Sequence, residues 1–250
     1  MTTPTIPILI FGSSGFCGRG VLKRLSSNPT FSISAHIRPS SGSLNTMQTL
    51  ATEYSFDLQV APVTEIATLI EQTQPQIICS FIGTTKRKMR ALRLTYDDID
   101  YGINHQIIEQ AKHLPNPPLF VYVSSMGIEW HKWSTYLKAR YKVEEELRHS
   151  HLPYVILRPG ILTGPTREEA RPLESVGATI SDGFAQLCRS VGWNSQANKI
   201  SSLNATDIGN IVSLQIATWL DQNKPLNFRT TLDVQHIQES IQSSEARMSP

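Results

Sequence analysis

Short apolar runs alternate with amphipathic segments along the first two-thirds of the chain. The apolar runs predict β-strands at Ile8–Phe11, Ser32–Arg38, Leu58–Val60, Gln76–Ile82, Leu119–Val123 and Tyr154–Leu157. The segments between them place apolar residues at helical spacing, and they predict helices that include Val21–Leu25, Ile66–Glu71, Tyr96–His113 and Tyr136–His149. Strands that are apolar throughout and separated by helices are typical of a parallel sheet covered on both faces. Because crossovers between parallel strands are right-handed, the pattern predicts an α/β fold with a doubly wound parallel sheet.

The alternation loosens in the last third of the chain, where only Ile180–Val191 and Ile208–Leu220 predict helices. We expect residues 1–160 to form the core of the fold. We expect residues 161–250 to form a small C-terminal cap for the substrate, integrated with the same domain. Such a cap would cover the carboxyl ends of the strands, where open α/β sheets bind their ligands.

The first predicted strand ends in a glycine-rich turn, and a helix follows it. The turn consists of Gly12, Ser13, Ser14, Gly15, Phe16, Cys17 and Gly18. Gly12 permits a tight turn, Gly15 lets the backbone approach a pyrophosphate, and Gly18 lets the helix pack against the strand. The N-terminus of the helix attracts phosphates through its N–H groups and its dipole. We therefore interpret residues 1–160 as a dinucleotide-binding Rossmann core in which all seven turn residues contact the cofactor. The alternative is an ordinary glycine-rich turn that binds nothing.

The end of the second predicted strand favours NADP over NAD. An acidic side chain at this point would bond the 2′-hydroxyl of NAD and repel a 2′-phosphate. The chain has Arg38 there, followed by Ser40 and Ser41, with no carboxylate in reach. The guanidinium offers a planar fork to a phosphate group. NADP is therefore the predicted cofactor, and the alternative is that Arg38 is a solvated charge at a strand end.

Composition and charge argue against several classes of function. The net charge of +2 over 250 residues is too small to indicate nucleic acid or an anionic membrane as a partner. The three cysteines form neither a CxxC pair nor a zinc spacing, so we expect reduced thiols and no metal. No apolar run approaches the roughly 18 residues of a membrane span, and no basic leader precedes the first strand. We therefore expect a cytoplasmic protein.

Four further segments share the order and approximate spacing of one known family. They are Phe81–Thr85, Val123–Ser125, Tyr136–Arg140 and Leu157–Gly160. Together with the glycine turn, they make the chain resemble an atypical short-chain dehydrogenase/reductase, and in particular the Tat-interactive-protein oxidoreductase family and its fungal mitochondrial relatives. The resemblance covers about residues 6–175 and is loose beyond them. It implies a nicotinamide-dependent oxidoreductase and, through the fungal relatives, a mitochondrial association.

The resemblance also implies the roles of individual residues. A serine after the fifth strand orients a carbonyl or alcohol in this superfamily, and here it is Ser124, with Ser125 as the alternative. A tyrosine on the next helix, here Tyr136, donates or accepts the proton. A lysine one helical turn later binds the nicotinamide ribose, and this chain has Arg140 in its place. Further cofactor contacts are expected from residues after the fourth and sixth strands, namely Ile82, Gly83, Thr84, Pro159, Gly160 and Ile161.

Arg140 leaves three interpretations open. It shares a helix face with Tyr136, a fixed cation there favours tyrosinate, and its guanidinium still donates to ribose hydroxyls. Arginine is bulkier than lysine, however, and releases no proton in a relay. The first interpretation is an NADP-dependent reductase of a small carbonyl or alcohol compound. The others are an NADPH-binding sensor or scaffold with a protein partner, and a specialised isomerase or cyclase. The long helices also leave a homodimer open.

Overall fold

The computed structural model describes residues 5–85, 89, 92–160, 162, 203–237 and 239–240. Within them, seven strands form one sheet: β1 Ile6–Phe11, β2 Phe31–Ile37, β3 Asp57–Val60, β4 Ile77–Ser80, β5 Leu119–Val123, β6 Tyr154–Leu157 and β7 Arg229–Leu232. Every neighbouring pair is parallel, and the strand order is β3-β2-β1-β4-β5-β6-β7. The predicted doubly wound parallel sheet is confirmed.

Helices connect the strands and cover the sheet. They are α1 Phe16–Ser26, α2 Leu44–Tyr54, α3 Ile66–Thr73, α4 Gly102–Lys112, α5 Thr135–His149 and α6 Ala205–Asp221. A π-helical turn over Asp97–Tyr101 leads into α4, and 3₁₀ turns at Val63–Glu65 and Ile128–Trp133 precede α3 and α5. Each of the six lies between two consecutive strands, as crossovers between parallel strands require.

The sheet is buried on both faces. Ile8 and Ile10 belong to the apolar cluster beneath α1 and α6, whereas Leu9 and Phe11 belong to the cluster beneath α3, α4 and α5. All four side chains are at most 1% exposed. Because side chains alternate between faces along a strand, a strand must be apolar at every position when both faces are covered. This is why the apolar runs predicted the strands.

Most predicted elements lie within a few residues of their expected ends. β5 and β6 have the predicted bounds, and α6 extends the predicted helix Ile208–Leu220 by a few residues at its N-terminus. The predicted helix Tyr96–His113 begins instead with the π-helical turn. β4 ends at Ser80 rather than at Ile82, so residues 81–85 leave the sheet as a loop.

Two elements, α2 and β7, were not predicted from the sequence. α2 buries only Met47, and no residue of β7 is fully buried, so neither segment carries a strong apolar pattern. β7 pairs with β6, and α6 packs against α1. Part of the C-terminal region that was predicted as a cap therefore contributes to the sheet and its helical layer. The predicted helix Ile180–Val191 lies outside the described residues.

The order of the strands reverses at β1. The chain runs from β1 outward to β2 and β3 on one side, and from β4 outward to β7 on the other. The crossovers therefore diverge between β1 and β4 and open a crevice outside the carboxyl ends of these strands, where open α/β sheets bind ligands. The glycine turn after β1 and the loop after β4 both lie at this crevice, because the backbone of Gly12 closely approaches that of Phe81.

Candidate active site

The glycine turn brings two parts of the backbone into close contact. Gly12 has a φ of +71°, and a Cβ on it would lie 2.6 Å from the carbonyl carbon of Phe81. A Cβ on Gly18 would lie 2.2 Å from the carbonyl oxygen of Gly12. Both separations are too short for real atoms, so both positions require glycine. The turn is a cradle that side chains would fill, and this shape fits the pyrophosphate of a dinucleotide.

Helix α1 starts directly at this cradle. Gly15 precedes the helix, and its amide donates to the carbonyl oxygen of Gly12 at 3.1 Å. Among the described residues, no side chain caps this N-terminus, and its first turn contains no acidic residue. The positive end of the helix dipole therefore carries no negative side chain that would compete with a bound anion.

Ser13 connects the glycine turn to the end of β2. Its buried hydroxyl donates to the carbonyl oxygen of His36 at 2.8 Å, so this hydroxyl serves the protein itself. The His36 ring lies 5.3 Å from the ring of Phe11, and its Nε2 is 2.8 Å from the carbonyl oxygen of Ala61. Burial lowers the pKa of His36, the hydrogen bond to Ala61 opposes this, and the charge of Arg38 adds to the lowering.

Arg38 is exposed just beyond β2, two residues after the carbonyl group that Ser13 contacts. Its own carbonyl oxygen accepts a hydrogen bond from the amide of Ser41 at 3.0 Å, which turns the chain. Residues 39–52 contain no carboxylate. The strand end that was predicted to meet the cofactor ribose is therefore followed by a cation, and no acidic residue occurs in the chain before Glu53.

A buried carboxylate holds the loop that follows β4. The amide of Thr84 donates to Asp100 Oδ2 at 3.1 Å, and Asp100 is completely buried. A Cβ on Gly83 would lie 2.2 Å from Arg140 Nη2 and 3.4 Å from Asp100 Oδ1. The loop Ile82–Thr84, which was predicted to contact the cofactor, therefore depends on Asp100 and Arg140 for its conformation.

Arg140 is the centre of this network and is 7% exposed. Its Nη1 donates to the carbonyl oxygen of Val123 at 2.6 Å and to the hydroxyl of Tyr122 at 3.3 Å. Its Nη2 lies 3.0 Å from Asp100 Oδ1. The guanidinium thus joins the end of β5, the helix α5 and the π-helical turn, and the protein's own acceptors fix its position.

The two buried charges compensate each other. Burial raises the pKa of Asp100, and the charge of Arg140 and the amide of Thr84 oppose that rise. Burial lowers the pKa of Arg140, but Tyr122, Tyr136 and Asp100 together raise it well above its usual value. The guanidinium is therefore a permanent cation in this site.

Tyr136 lies in the first turn of α5, one helical turn before Arg140. The helix begins here because the Ser134 hydroxyl caps it, accepting from the amide of Leu137. The Tyr136 ring centroid is 5.3 Å from Arg140 Cζ, and the ring of Tyr96 packs edge-on against it at 5.2 Å. The structure therefore places the half-buried tyrosine and the cation together, as their spacing predicted.

The two serines that follow β5 differ in their surroundings. Ser124 is 4% exposed, its amide donates to the carbonyl oxygen of Leu157 at 2.7 Å, and its hydroxyl has no hydrogen-bond partner among the described residues. A buried hydroxyl without a partner is costly, which is typical of a group that serves a ligand. The hydroxyl of Ser125 instead donates to the carbonyl oxygen of Met126 at 3.1 Å.

Arg140 lies next to another predicted site residue, Ser124. Its guanidinium binds the carbonyl oxygen of Val123, which is the residue directly before that serine. Pro159 is held to the same region, since its carbonyl oxygen accepts from the amide of Met126 at 3.1 Å. Gly160 follows it, and the predicted contact Ile161 lies outside the described residues.

Asp100 was not predicted as a site residue from the sequence. The sequence did contain a signal for it. Asp100 precedes Ile107 by seven residues and Ala111 by eleven, and these spacings place all three residues on one face of a helix. An acidic residue on an apolar helix face indicates a buried partner, but the sequence did not show that the partner is Arg140.

One group of metal-ligating side chains lies elsewhere on the described surface. His105, Glu109 and Glu146 have potential ligand atoms within 4.8 Å of one another. His105 Nδ1 lies 2.7 Å from Glu146 Oε1, and Glu109 pairs with Lys112 at 2.6 Å. The pair of His105 and Glu146 joins α4 to α5, whereas the pair of Glu109 and Lys112 lies within α4, so ion pairs within the protein engage all three side chains.

The sequence profile of a family described as NAD(P)H-binding matches residues 12–183, which include the cradle and the network around Arg140. The chain belongs to this family. Two named relatives of this NAD(P)H-binding protein are fungal. It is 28% identical over 180 residues to "Protein fmp52-1, mitochondrial" of Aspergillus terreus, across 71% of this chain and 75% of that protein. It is 35% identical over 86 residues to "Protein FMP52, mitochondrial" of Debaryomyces hansenii, across 34% of this chain and 37% of that protein.

Solved structures share the fold of the NAD(P)H-binding protein. The UDP-Glc/GlcNAc 4-epimerase of Campylobacter jejuni has a TM-score of 0.66 at 15% identity, across 96% of this chain and 84% of that one. Actinorhodin polyketide ketoreductase with NADPH has a TM-score of 0.62 at 12% identity, across 94% and 97%. A putative NAD-dependent epimerase/dehydratase from Bacillus halodurans has a TM-score of 0.60 at 19% identity, across 91% and 92%.

These comparisons confirm the predicted resemblance to the atypical short-chain dehydrogenases/reductases and their fungal mitochondrial relatives, and the solved structures confirm the Rossmann fold. The fold of the NAD(P)H-binding protein is of the type found in NAD(P)-dependent reductases and epimerases. Both fungal relatives are named mitochondrial. Within the described part of the chain, no helix has the length and apolar character needed to cross a membrane.

Proposed function

We propose that this protein is an NADP-dependent reductase of small carbonyl compounds. The observation that carries the proposal is the hydroxyl of Ser124, which is buried at the end of β5 with no partner among the described residues. The adjacent backbone carbonyl group is bound by Arg140, which also lies 5.3 Å from the ring of Tyr136. A hydroxyl donor, a phenol and a fixed cation are the groups that carbonyl reduction requires of a protein.

The backbone of the glycine turn would hold the pyrophosphate of the dinucleotide at the N-terminus of α1. The loop Ile82–Thr84 and the residues Pro159 and Gly160 would contact the rest of the cofactor. When it is bound, NADPH supplies the hydride that reduces the carbonyl carbon. The protein contributes the orientation of the substrate and the proton.

Three side chains carry out the remaining steps of the reaction. The Ser124 hydroxyl donates a hydrogen bond to the substrate oxygen and orients the carbonyl group. The Tyr136 hydroxyl gives its proton to that oxygen as the alcohol forms. Arg140 stabilises the tyrosinate that remains, because its guanidinium is a permanent cation close to the ring. The tyrosine recovers its proton from the solvent, since arginine releases none.

The choice of NADP over NAD rests on Arg38. Its exposed guanidinium follows β2, and no carboxylate lies in the next 14 residues, 39–52. A 2′-phosphate gains a charge-assisted, bidentate contact at such a position, whereas a 2′-hydroxyl gains little.

Cofactor preference is tested by titrating the protein with NADPH and NADH while following nicotinamide fluorescence. We expect Arg38→Ala to weaken NADPH binding about tenfold or more, as the loss of one charge-assisted hydrogen bond implies, and to leave NADH binding unchanged. Arg229→Ala is the matched control, because Arg229 is exposed at the start of β7, at the opposite edge of the sheet. Equal effects of Arg38→Ala on both nucleotides contradict the proposed preference.

Catalysis is tested with a panel of small aldehydes and ketones, by following NADPH oxidation. We expect Tyr136→Phe to lower kcat by about 10²–10⁴, and Ser124→Ala to lower kcat with NADPH binding retained. Ser125→Ala is the control, because the Ser125 hydroxyl is already bonded to Met126. Activity that survives both Tyr136→Phe and Ser124→Ala contradicts the assigned roles. Substrate conversion without net NADPH oxidation indicates an isomerase or cyclase instead.

A second candidate function is NADPH binding without turnover, as in a sensor or scaffold protein. The contacts of both Arg140 Nη atoms with Val123, Tyr122 and Asp100 favour it, because they hold the guanidinium within the protein. Arg140→Lys distinguishes the two functions. A gain in carbonyl reduction identifies a reductase with an impaired relay, whereas an inactive protein that stays inactive supports the sensor.

A further inference from the structure

Asp100 is a buried carboxylate with no role in the proposed reaction. Of the three aspartates in the π-helical turn Asp97–Tyr101, it alone is buried. Asp97 pairs with Lys142 at the surface, and Asp98 accepts a hydrogen bond from Thr95. A π-helical turn inserts a residue relative to an α-helix, which redirects the side chains, and such turns occur frequently at functional sites. Here the turn directs one carboxylate inward.

The two oxygens of Asp100 have different partners. Oδ2 accepts the amide hydrogen of Thr84 at 3.1 Å, and Oδ1 lies 3.0 Å from Arg140 Nη2. One carboxylate therefore joins the loop that follows β4 to the guanidinium on α5.

Arg140 extends this connection to the reacting groups. It binds the carbonyl oxygen of Val123, which is the residue before Ser124, at 2.6 Å, and its guanidinium lies 5.3 Å from the ring of Tyr136. Gly83 makes room for this arrangement, because a Cβ there would lie 2.2 Å from Nη2. The loop, the strand end and the helix are thus built around a guanidinium in one fixed position.

We infer that Asp100 is a positioning residue that acts through Arg140. By pairing with the guanidinium, it fixes the serine after β5 and the tyrosine on α5 relative to the cofactor-binding loop after β4. This inference rests on the proposed function. It also explains the use of arginine at this position, since a planar guanidinium binds a carboxylate and a carbonyl oxygen at once, whereas a lysine ammonium is a point charge.

Two substitutions separate the contacts of Asp100. In Asp100→Asn, the amide oxygen still accepts from the amide of Thr84, but the charge that pairs with Arg140 is lost. In Asp100→Ala, both contacts are lost. Asp97→Asn is the matched control, because it is the same substitution in the same turn at an exposed carboxylate.

The readouts are kcat for carbonyl reduction and the Kd of NADPH measured by fluorescence. We expect Asp100→Asn to lower kcat by about tenfold to a hundredfold, the cost of a misplaced reacting group, while Kd changes less than about threefold. We expect Asp100→Ala to raise Kd as well, by about tenfold, since the loop also loses its acceptor. Asp97→Asn should change neither quantity. An unchanged kcat in folded Asp100→Asn overturns the inference.

A double-mutant cycle tests whether Asp100 acts through Arg140. Adding Asp100→Asn to Arg140→Gln should lower kcat by little more than Arg140→Gln alone, because the two substitutions remove one interaction. The double variant contains neither buried charge, so it should recover the thermal stability that Asp100→Asn loses by leaving a cation unpaired. If the double variant recovers kcat together with stability, the pair is purely structural and the inference is overturned. The inference is also overturned if Asp100→Asn lowers kcat as much in the Arg140→Gln background as it does in the wild type.

Failure of the proposed function is distinguishable from failure of the inference. If the wild-type protein binds NADPH but reduces no carbonyl compound in the panel, the proposed function is wrong. NADPH binding then still tests the link between Asp100 and the cofactor loop. Weaker binding in Asp100→Ala, with wild-type binding in Asp97→Asn, supports that link, and equal binding in all three proteins overturns it.

Discussion

At the scale of single residues, buried polar side chains in this protein bind backbone carbonyl groups near the carboxyl ends of the strands. Ser13 binds the carbonyl group of His36, His36 that of Ala61, and Arg140 that of Val123. Each bond satisfies a buried group that would be costly to leave unpaired. Each also fixes the end of a strand at the carboxyl edge of the sheet, so the same contacts that stabilise the fold shape the proposed cofactor site.

His36 should make the stability of the protein depend on pH. Its pKa is lowered by burial, whereas a histidine in the unfolded chain titrates near 6.5. Below that pH the unfolded state binds more protons than the folded state, so the free energy of unfolding falls as the pH falls. We expect urea unfolding to show a loss of stability as the pH falls through about 6.5. His36→Gln should reduce this loss, because glutamine donates to Ala61 without titrating. Parallel pH dependence in both proteins contradicts the prediction.

The sequence offers candidates for the reacting residues but not the partners that hold them. Ser124, Tyr136 and Arg140 are candidates because the family resemblance rests on their order and spacing, which are read directly from the sequence. The bond from the Ser13 hydroxyl to His36, and the pairing of Asp100 with Arg140, depend on which groups meet across the fold. Sequence spacing carries no information about such contacts.

At the scale of elements, the glycine-rich helix α1 has a second close contact, on the side away from the cofactor cradle. A Cβ on Gly20 would lie 2.0 Å from the carbonyl oxygen of Ala205, and a Cβ on Gly209 would lie 2.6 Å from that of Gly20. Small residues let the backbones of two helices approach closely. The position of α1, and with it the N-terminus that would meet the phosphates, therefore depends on α6.

Gly20→Ala should destabilise the protein by about 1–3 kcal/mol, the usual cost of overpacking a close contact. The sign of the effect is informative, because the same change in an isolated helix is stabilising by about 1 kcal/mol. Gly42→Ala is the control, since a Cβ on Gly42 meets nothing within 4 Å. Urea unfolding of the three proteins measures the effect. A Gly20→Ala variant as stable as the wild type would show that α6 does not restrain α1.

The elements also show why sequence patterns identify some segments and not others. The strands β1, β4, β5 and β6 are apolar almost throughout because helices cover both of their faces. The edge strand β7 and the helix α2 bury little, so their sequences carry no comparable pattern. The π-helical turn was missed for another reason, since the apolar spacing of Tyr96–His113 predicts a helix without distinguishing a π-helical turn from an α-helical one.

At the scale of the whole molecule, the proposed cofactor contacts come from four separate parts of the chain. They follow β1, β2, β4 and β6, and only the parallel order of the sheet brings their carboxyl ends to one edge. The unfolded chain therefore has no site for the dinucleotide. Because the same sheet extends from Ile6 to Leu232, binding at its centre should be linked to the stability of the whole described core.

NADPH should raise the melting temperature of the protein. A ligand that binds only the folded state at about 100 times its Kd contributes about 2.7 kcal/mol. For a chain of this size, that corresponds to an increase of about 5–11 °C. Thermal unfolding with and without NADPH measures the increase, which should occur in a single transition because the contacts span the sheet. At the same NADPH concentration, Arg38→Ala should show a smaller increase and Arg229→Ala the full one. A transition that is unchanged by NADPH would mean that the cradle of Gly12 and Gly18, despite its shape, does not bind the dinucleotide.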